Sequence, residues 1–277
     1  MLKRILVGVS GTPALDAKIS YCLDLAKRHG ADLGVISIVD ADRLSNLGPV
    51  PIGAGHRARK LAEHRISASH VRDDEALQKF ARMAEEAGVK SDLIREEGDP
   101  LDVISSQWRF YDLCVLGARG WFDYGVINEP VNALLEVFAG GVRPILAVPS
   151  EFGSVNRVMV AYNGSPEASK ALKHFLIMRP YEQCVLDLVC VGRTESGEDP
   201  DHALSHAAEY AQAHGFETVQ TKLEGECCDA LLAHAAATSA NLIVMGASYR
   251  RILMYERFGA DTLAILKNSP LPLFISH

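Results

Sequence analysis

The sequence has no CxxC pair and no Cys/His spacing suited to zinc, so its six cysteines outline neither a metal site nor a disulfide framework. No apolar run approaches the ~18 residues that cross a bilayer. Basic residues are outnumbered 28 to 35, which leaves a formal charge of −7. Polyanions are repelled at long range by such a chain, so neither nucleic acid nor a membrane surface is expected as a partner. The opening MLKRILVGVSGTP is too short in its apolar part for a signal peptide and has no small-residue cleavage site. With unpaired cysteines, this points to the cytoplasm. There is no G-x-S-x-G elbow, no P-loop Lys-Ser and no HExxH, and no catalytic residue is assigned. His202 and His206 stand four apart on a helical pattern without a third ligand, so they read as an exposed polar face and no metal is expected.

What the sequence does have is itself, twice. KRILVGVSGTP from Lys3 matches NRVMVAYNGSP from Asn156, and EGDPLDVISS from Glu97 matches EGECCDALLA from Glu224. YDLCVLGARG from Tyr111 matches ANLIVMGASY from Ala240, and the closing RPILAVP matches LPLFIS. Four segments recurring in one order mark a tandem repeat. The boundary is VPSEFGSVN, so the units are residues 1–150 and 155–277. The offset is 153 at Lys3 and 127 at Glu97, so the first unit holds 26 more residues, an insertion at about 41–72. The second strand, Asp32 to Asp40, aligns near offset 152, which sets Val39 against Val191.

Short continuous apolar runs (Ile5–Val9, Val35–Val39, Leu113–Leu116, Ile145–Val148) alternate with helical patterns. Strands buried on both faces read this way. Between them, DEALQKFARMAEEAG places Leu77, Phe80, Ala81 and Ala84 on one face, with Gly88 as the C-cap. Cys114 and Cys190 read as small buried hydrophobes; Cys227-Cys228 reads as a helix start, with a redox pair as the alternative. The expected fold is α/β: two Rossmann-like domains, each an open parallel five-stranded sheet with helices on both faces. In such sheets ligands bind at the carboxyl ends of the strands, where strand order reverses.

The motifs VSGTP and YNGSP, EGDP, DLCVLGARG and NLIVMGASY, and RPILAVP and LPLFIS resemble the universal stress protein family in its tandem form. The resemblance implies stress-linked regulation and domain pairing through the last strands, which a tandem chain forms internally as a pseudo-dimer. A further homodimer and a protein partner are also expected. One branch of the family binds ATP through G-x2-G-x9-G followed by Ser or Thr, with an Asp ending the first strand. Carried over, the ligand positions are Ser10, Gly11, Val39, Gly117, Arg119 and Gly120 in the first unit. In the second they are Asn163, Gly164, Val191, Gly246, Tyr249, Gly259 and Ala260.

The departures from that pattern share a direction. Tyr249 replaces the second glycine, Ala260 replaces the hydroxyl residue, and Ser10 and Asn163 replace the Asp. Glu129-Pro130 occupies the closing Gly-Ser of the first unit, and Asp261 follows Gly259 in the second. A carboxylate at a helix start is favoured by the bare amides and the dipole, so both helices are expected to be capped from within, against phosphate. Tyr249 closes a lapsed pocket or stacks on a base. Arg250, Arg251 and Arg257 form a solvated face or contact phosphates. The insertion, with His56, Arg57, Arg59, Lys60, His64 and Arg65, is either a lid above Arg119, or a surface excursion or partner-docking arm.

The resulting expectation is a cytoplasmic, stress-associated regulatory or ligand-sensing protein with degenerate nucleotide loops. The alternatives are an adenine-nucleotide switch binding ATP or AMP in one domain, and a slow nucleotide hydrolase.

Overall fold

The structure, a computed structural model, describes residues 1–277 apart from 11–13, 49–50, 52, 119–143, 196, 248, 253–254 and 277. The first half supplies β1 (Arg4–Gly8), β2 (Asp32–Val39), β3 (Ser91–Glu97), β4 (Leu113–Gly117) and β5 (Ile145–Val148). The second supplies β6 (Arg157–Ala161), β7 (Val185–Val191), β8 (Glu217–Leu223), β9 (Leu242–Gly246) and β12 (Leu273–Ser276), with a separate ribbon of β10 (Tyr249–Ile252) and β11 (Tyr255–Phe258). Each half is parallel throughout, in the order β3-β2-β1-β4-β5 and its repeat. The halves do not stop at five strands. β5 and β12 pair antiparallel, Ala147 opposite Leu273 and Leu146 opposite Phe274, giving one sheet of ten strands.

Apolar runs such as RILVG, LCVLG and LIVMG fill this sheet because helices cover both of its faces. On one face α1 (Leu15–His29), α3 (Gly55–Glu86), α5 (Pro166–Met178) and α6 (Pro200–Ala213) pack over Leu33, Val35, Leu186 and Leu188. On the other, α4 (Pro100–Trp108), α7 (Cys227–Ala237) and α8 (Ala260–Asn268) pack over Ile36, Ile38 and Val189. Each such aliphatic side chain contributes about 1.5–3 kcal/mol on full burial. The edge strands SDLIREE and ETVQTKL are charged and partly exposed, which discourages edge-to-edge association.

The repeat extends to its hydrogen bonds. Asp112 Oδ2 accepts from the amides of Lys3 (2.7 Å) and Arg4 (3.0 Å); Asn241 Oδ1 accepts from those of Asn156 (2.8 Å) and Arg157 (2.9 Å). Register corrects the alignment of the second strand. Arg4 lies opposite Asp32 and Arg157 opposite Val185, so the offset is 153 in both strands. The counterpart of Val191 is therefore Ile38, not Val39. A one-residue slip reverses the face of every side chain in a strand, so Val39 and Val191 are not equivalent positions.

The segment 41–72 becomes α2 (Ala41–Ser45), a connection, and the first turns of α3. Asp40 caps α2, its Oδ1 accepting from the Arg43 amide at 2.9 Å. α3 runs for 32 residues, whereas its counterpart α6 has 14. The part of α3 from Asp73 onward carries Ala76, Leu77, Phe80 and Ala84 into the core. Ala87 is the C-cap, and Gly88 follows in the left-handed region at φ 67°; Ala81 is only half-buried.

Candidate functional site

The ends of β6, β7 and β9 and the starts of α5, α7 and α8 enclose a cleft of ≈ 240 Å³. It lies where strand order reverses, between β9 and β6. Its walls include Ala161, Val189, Val191, Leu231, Met245 and Ile265, an apolar bed delivered by three strands and two helices. The polar groups stand at its mouth: Tyr162, Asn163, Glu167, Arg193, Glu195 and Asp261.

Each helix start facing the cleft handles its bare amides differently. At α5, Gly164 turns the chain at φ 73° and Asn163 Oδ1 accepts from the Ser165 amide at 3.1 Å. Ser165 Oγ then accepts from the Ala168 amide at 3.1 Å, and Pro166 follows as the first helical residue. This end is therefore closed by its own N-cap. At α8 the N-cap is Gly259, which offers no side-chain acceptor; Ala260 opens the helix and Asp261 lies in its first turn. Asp261 is thus not the cap the sequence suggested, although its charge sits beside the amides. Next to it, the Cys227 thiol is pushed up to about 11, by burial first and then by the Asp261 carboxylate. Such a thiol is a poor nucleophile, which disfavours a redox role for Cys227-Cys228.

A buried polar group braces the rear of the cleft. Asp187 lies on the same face of β7 as Val189 and Val191 and is 1 % exposed. Its Oδ2 accepts from His234 Nε2 of α7 at 2.8 Å, and its Oδ1 from Thr221 Oγ1 of β8 at 3.0 Å. These bonds fix α7, and with it Leu231 and Cys227, against the strand that floors the cleft. In the first half the matching position is Gly34, and the space is taken by the Tyr111 ring.

Of the sequence-derived positions, Asn163, Val191, Gly246 and Gly259 come together as walls of this cleft. Gly164 shapes the turn and Ala260 begins α8. Tyr249 belongs to the β10–β11 ribbon, opposite Phe258, so the span between the two glycines holds an antiparallel strand pair. The side chains of Tyr249, Arg250, Arg251 and Arg257 lie outside the described residues, as do Gly11, Arg119, Gly120, Glu129 and Pro130. In the first half Ser10, Val39 and Gly117 are buried and do not line this cleft. Among the described residues no group of His, Cys, Asp and Glu is arranged to hold a metal, and no helix is long and apolar enough to cross a membrane.

The model of the Universal stress protein family matches residues 1–135. Universal stress protein Slr1230 of Synechocystis is 21 % identical over 286 residues, across 98 % of this chain and 99 % of that one. A universal stress protein from Archaeoglobus fulgidus is 22 % identical, with a TM-score of 0.70 over 98 % of this chain and 97 % of its own. The universal stress protein family is thus matched by its model over the first half of this chain and by a relative along nearly its whole length. A functionally unknown protein from Pseudomonas aeruginosa shares the fold at 13 % identity, with a TM-score of 0.64 over 99 % of this chain and 92 % of that one.

Gly246 has a packing reason of its own. A Cβ there would lie 2.5 Å from the Ala168 amide nitrogen and 2.6 Å from the Glu167 carbonyl oxygen, so the first turn of α5 requires the glycine whether or not a ligand is bound. Glu167, Arg193 and Glu195 belong to no motif in the sequence. The signal for them is positional: each follows the carboxyl end of the first or second strand of its half, where a doubly wound sheet gathers its ligand contacts.

Proposed function

We propose that this chain is a universal stress protein, a cytoplasmic regulatory protein that senses a small ligand in the second-half cleft, with a phosphate end that does not suit a triphosphate. The observation carrying this reading is the charge of the cleft mouth, where Glu167, Glu195 and Asp261 stand against Arg193. Each carboxylate within several ångströms of a phosphate opposes it by about 1–3 kcal/mol at an effective dielectric of 20–80. At the start of α5, where bare amides would otherwise attract an anion, the Ala168 amide is taken by Ser165 Oγ and the Ser165 amide by Asn163 Oδ1. The two halves, joined through β5 and β12, act in this reading as an internal pseudo-dimer with a sensing half and a supporting half.

The apolar bed and the glycines at 164, 246 and 259 support a second reading, an AMP- or ATP-binding switch in the same half. Mass spectrometry of small molecules released on denaturation, followed by calorimetric titration of ATP, ADP and AMP, separates the two. The expected result is no bound triphosphate and no heat with ATP. Adenine nucleotide released at near one per chain, with micromolar ATP binding, favours the switch.

A further inference from the structure

The upper part of α3, residues 55–72, does little for the core: Ser69 is its only buried residue, and the matching helix of the second half lacks this part altogether. It is braced from below, where His70 Nε2 lies 3.6 Å from Glu97 and Asp74 accepts from Arg95 at 2.8 Å. Ala58, Ala62 and Ile66 are half-buried on the inner side. Leu61, His64 and Val71 are exposed, and with the half-buried Ala68 they follow the 3-4 spacing of a heptad seam. Leu61 is 45 % and Val71 55 % exposed, large apolar side chains left open on this helix. Lys60 and Arg65 flank that seam, both exposed, in a chain whose net charge is −7.

We infer that residues 55–72 form a docking helix for an acidic amphipathic helix of another protein, paired along the Leu61–Val71 seam with carboxylates opposite Lys60 and Arg65. Charge complementarity selects this occupant. In a second copy of the same helix, Lys60 would face Arg65 across a parallel seam, and like charges at flanking positions reject such a pair. A polyanionic backbone would satisfy the cations but leave Leu61 and Val71 without apolar contact, and the acidic body of the protein opposes its approach. An acidic helix supplies both: apolar side chains for the seam and carboxylates for its borders.

The test uses the full-length protein and a fluorescent synthetic peptide of about four heptads, with Leu at the seam positions and Glu at the flanking ones. The controls are the same peptide with Lys in place of Glu, a random DNA duplex, and vesicles of phosphatidylserine and phosphatidylcholine. Anisotropy is expected to report binding of the Glu peptide alone. That binding should weaken about tenfold in Lys60→Glu/Arg65→Glu and in Leu61→Ser, and should weaken with added salt. All three residues are exposed, so an unchanged unfolding midpoint certifies the fold of each variant. No binding of the Glu peptide, equal binding by the charge-reversed variant, or preference for DNA or vesicles would overturn the inference.

Discussion

The first turn of α5 lies against Gly246 at the end of β9, with the Ala168 amide nitrogen 2.5 Å from where a Cβ would sit. The obstacle is backbone, which cannot rotate away as a flexible side chain does. Gly246→Ala is therefore expected to destabilise the protein by about 1–3 kcal/mol, the usual cost of overpacking. The urea midpoint of the variant measures it; a change below a few tenths of a kcal/mol would show that α5 yields freely.

Gly34 stands in the same relation to a ring. A Cβ there would lie 2.5 Å from Cζ and 2.6 Å from Cε1 of Tyr111, whose ring is also held by the Arg4 guanidinium at 4.4 Å. Gly34→Ala should cost about 1–3 kcal/mol on its own. Combined with Tyr111→Ala, the two losses should be less than additive, with a coupling of about 1 kcal/mol or more, because the second change empties the space the first one fills. Strict additivity would place the cost of Gly34→Ala elsewhere.

Lys18 is buried on α1 and donates to the Gly8 carbonyl at 3.0 Å. Burial lowers its pKa to about 8, while Cys22 and Asp73 act in the opposite sense. Between pH 8 and the ordinary lysine range the unfolded chain binds the extra proton, so this residue's contribution to stability rises with pH. Relative to Lys18→Met, the wild type should gain up to about 1.4 kcal/mol per unit between pH 8 and 9. Denaturant midpoints of the two proteins at matched pH give the slope. A flat difference across that window would mean that Lys18 keeps its proton in the fold.

Removing the carboxylate beside Cys227 should make its thiol more acidic. In Asp261→Asn, alkylation of Cys227 by iodoacetamide at pH 8.5, followed by peptide mass spectrometry, should be faster by about threefold. Burial is the larger cause of the raised pKa, so the effect is partial. Equal labelling rates would remove Asp261 from the account.

The charge at the cleft mouth makes a separate prediction. Glu195→Gln/Asp261→Asn should raise ATP affinity about tenfold or more, since each neutralised carboxylate removes a repulsion of about 1 kcal/mol or more. Calorimetry on the double variant and the wild type decides it. Identical titrations would mean that phosphate is turned away by shape instead of charge.

Much of the fold could be read from local pattern. RILVG, LCVLG and ILAV announce buried parallel strands, and the recurrence of YNGSP and EGDP-like turns announces a duplicated α/β unit. The insertion was legible as extra length, but not as an extension of α3, because nothing in GHRARKLAEHR sets it apart from the helix it joins. The second strands are offset by 153, one residue from the 152 that the strings suggest. Strings such as DLGVISIVD and VLDLVCVG align almost as well at 152 as at 153, and only hydrogen-bond register chooses between them.

The sequence by itself determined the elements, their order and the existence of two similar halves, since periodicity and turn chemistry act over a few residues. Tertiary structure decided which side chains share a space. Glu167, Glu195 and Asp261 meet at one cleft only because three crossovers return the chain to the same end of the sheet. Gly246 is fixed by the backbone of a helix nearly eighty residues away in the chain, and Asp187 by His234 across a strand–helix contact. Such relations depend on packing between distant segments, and packing is settled by the shapes of all of them at once.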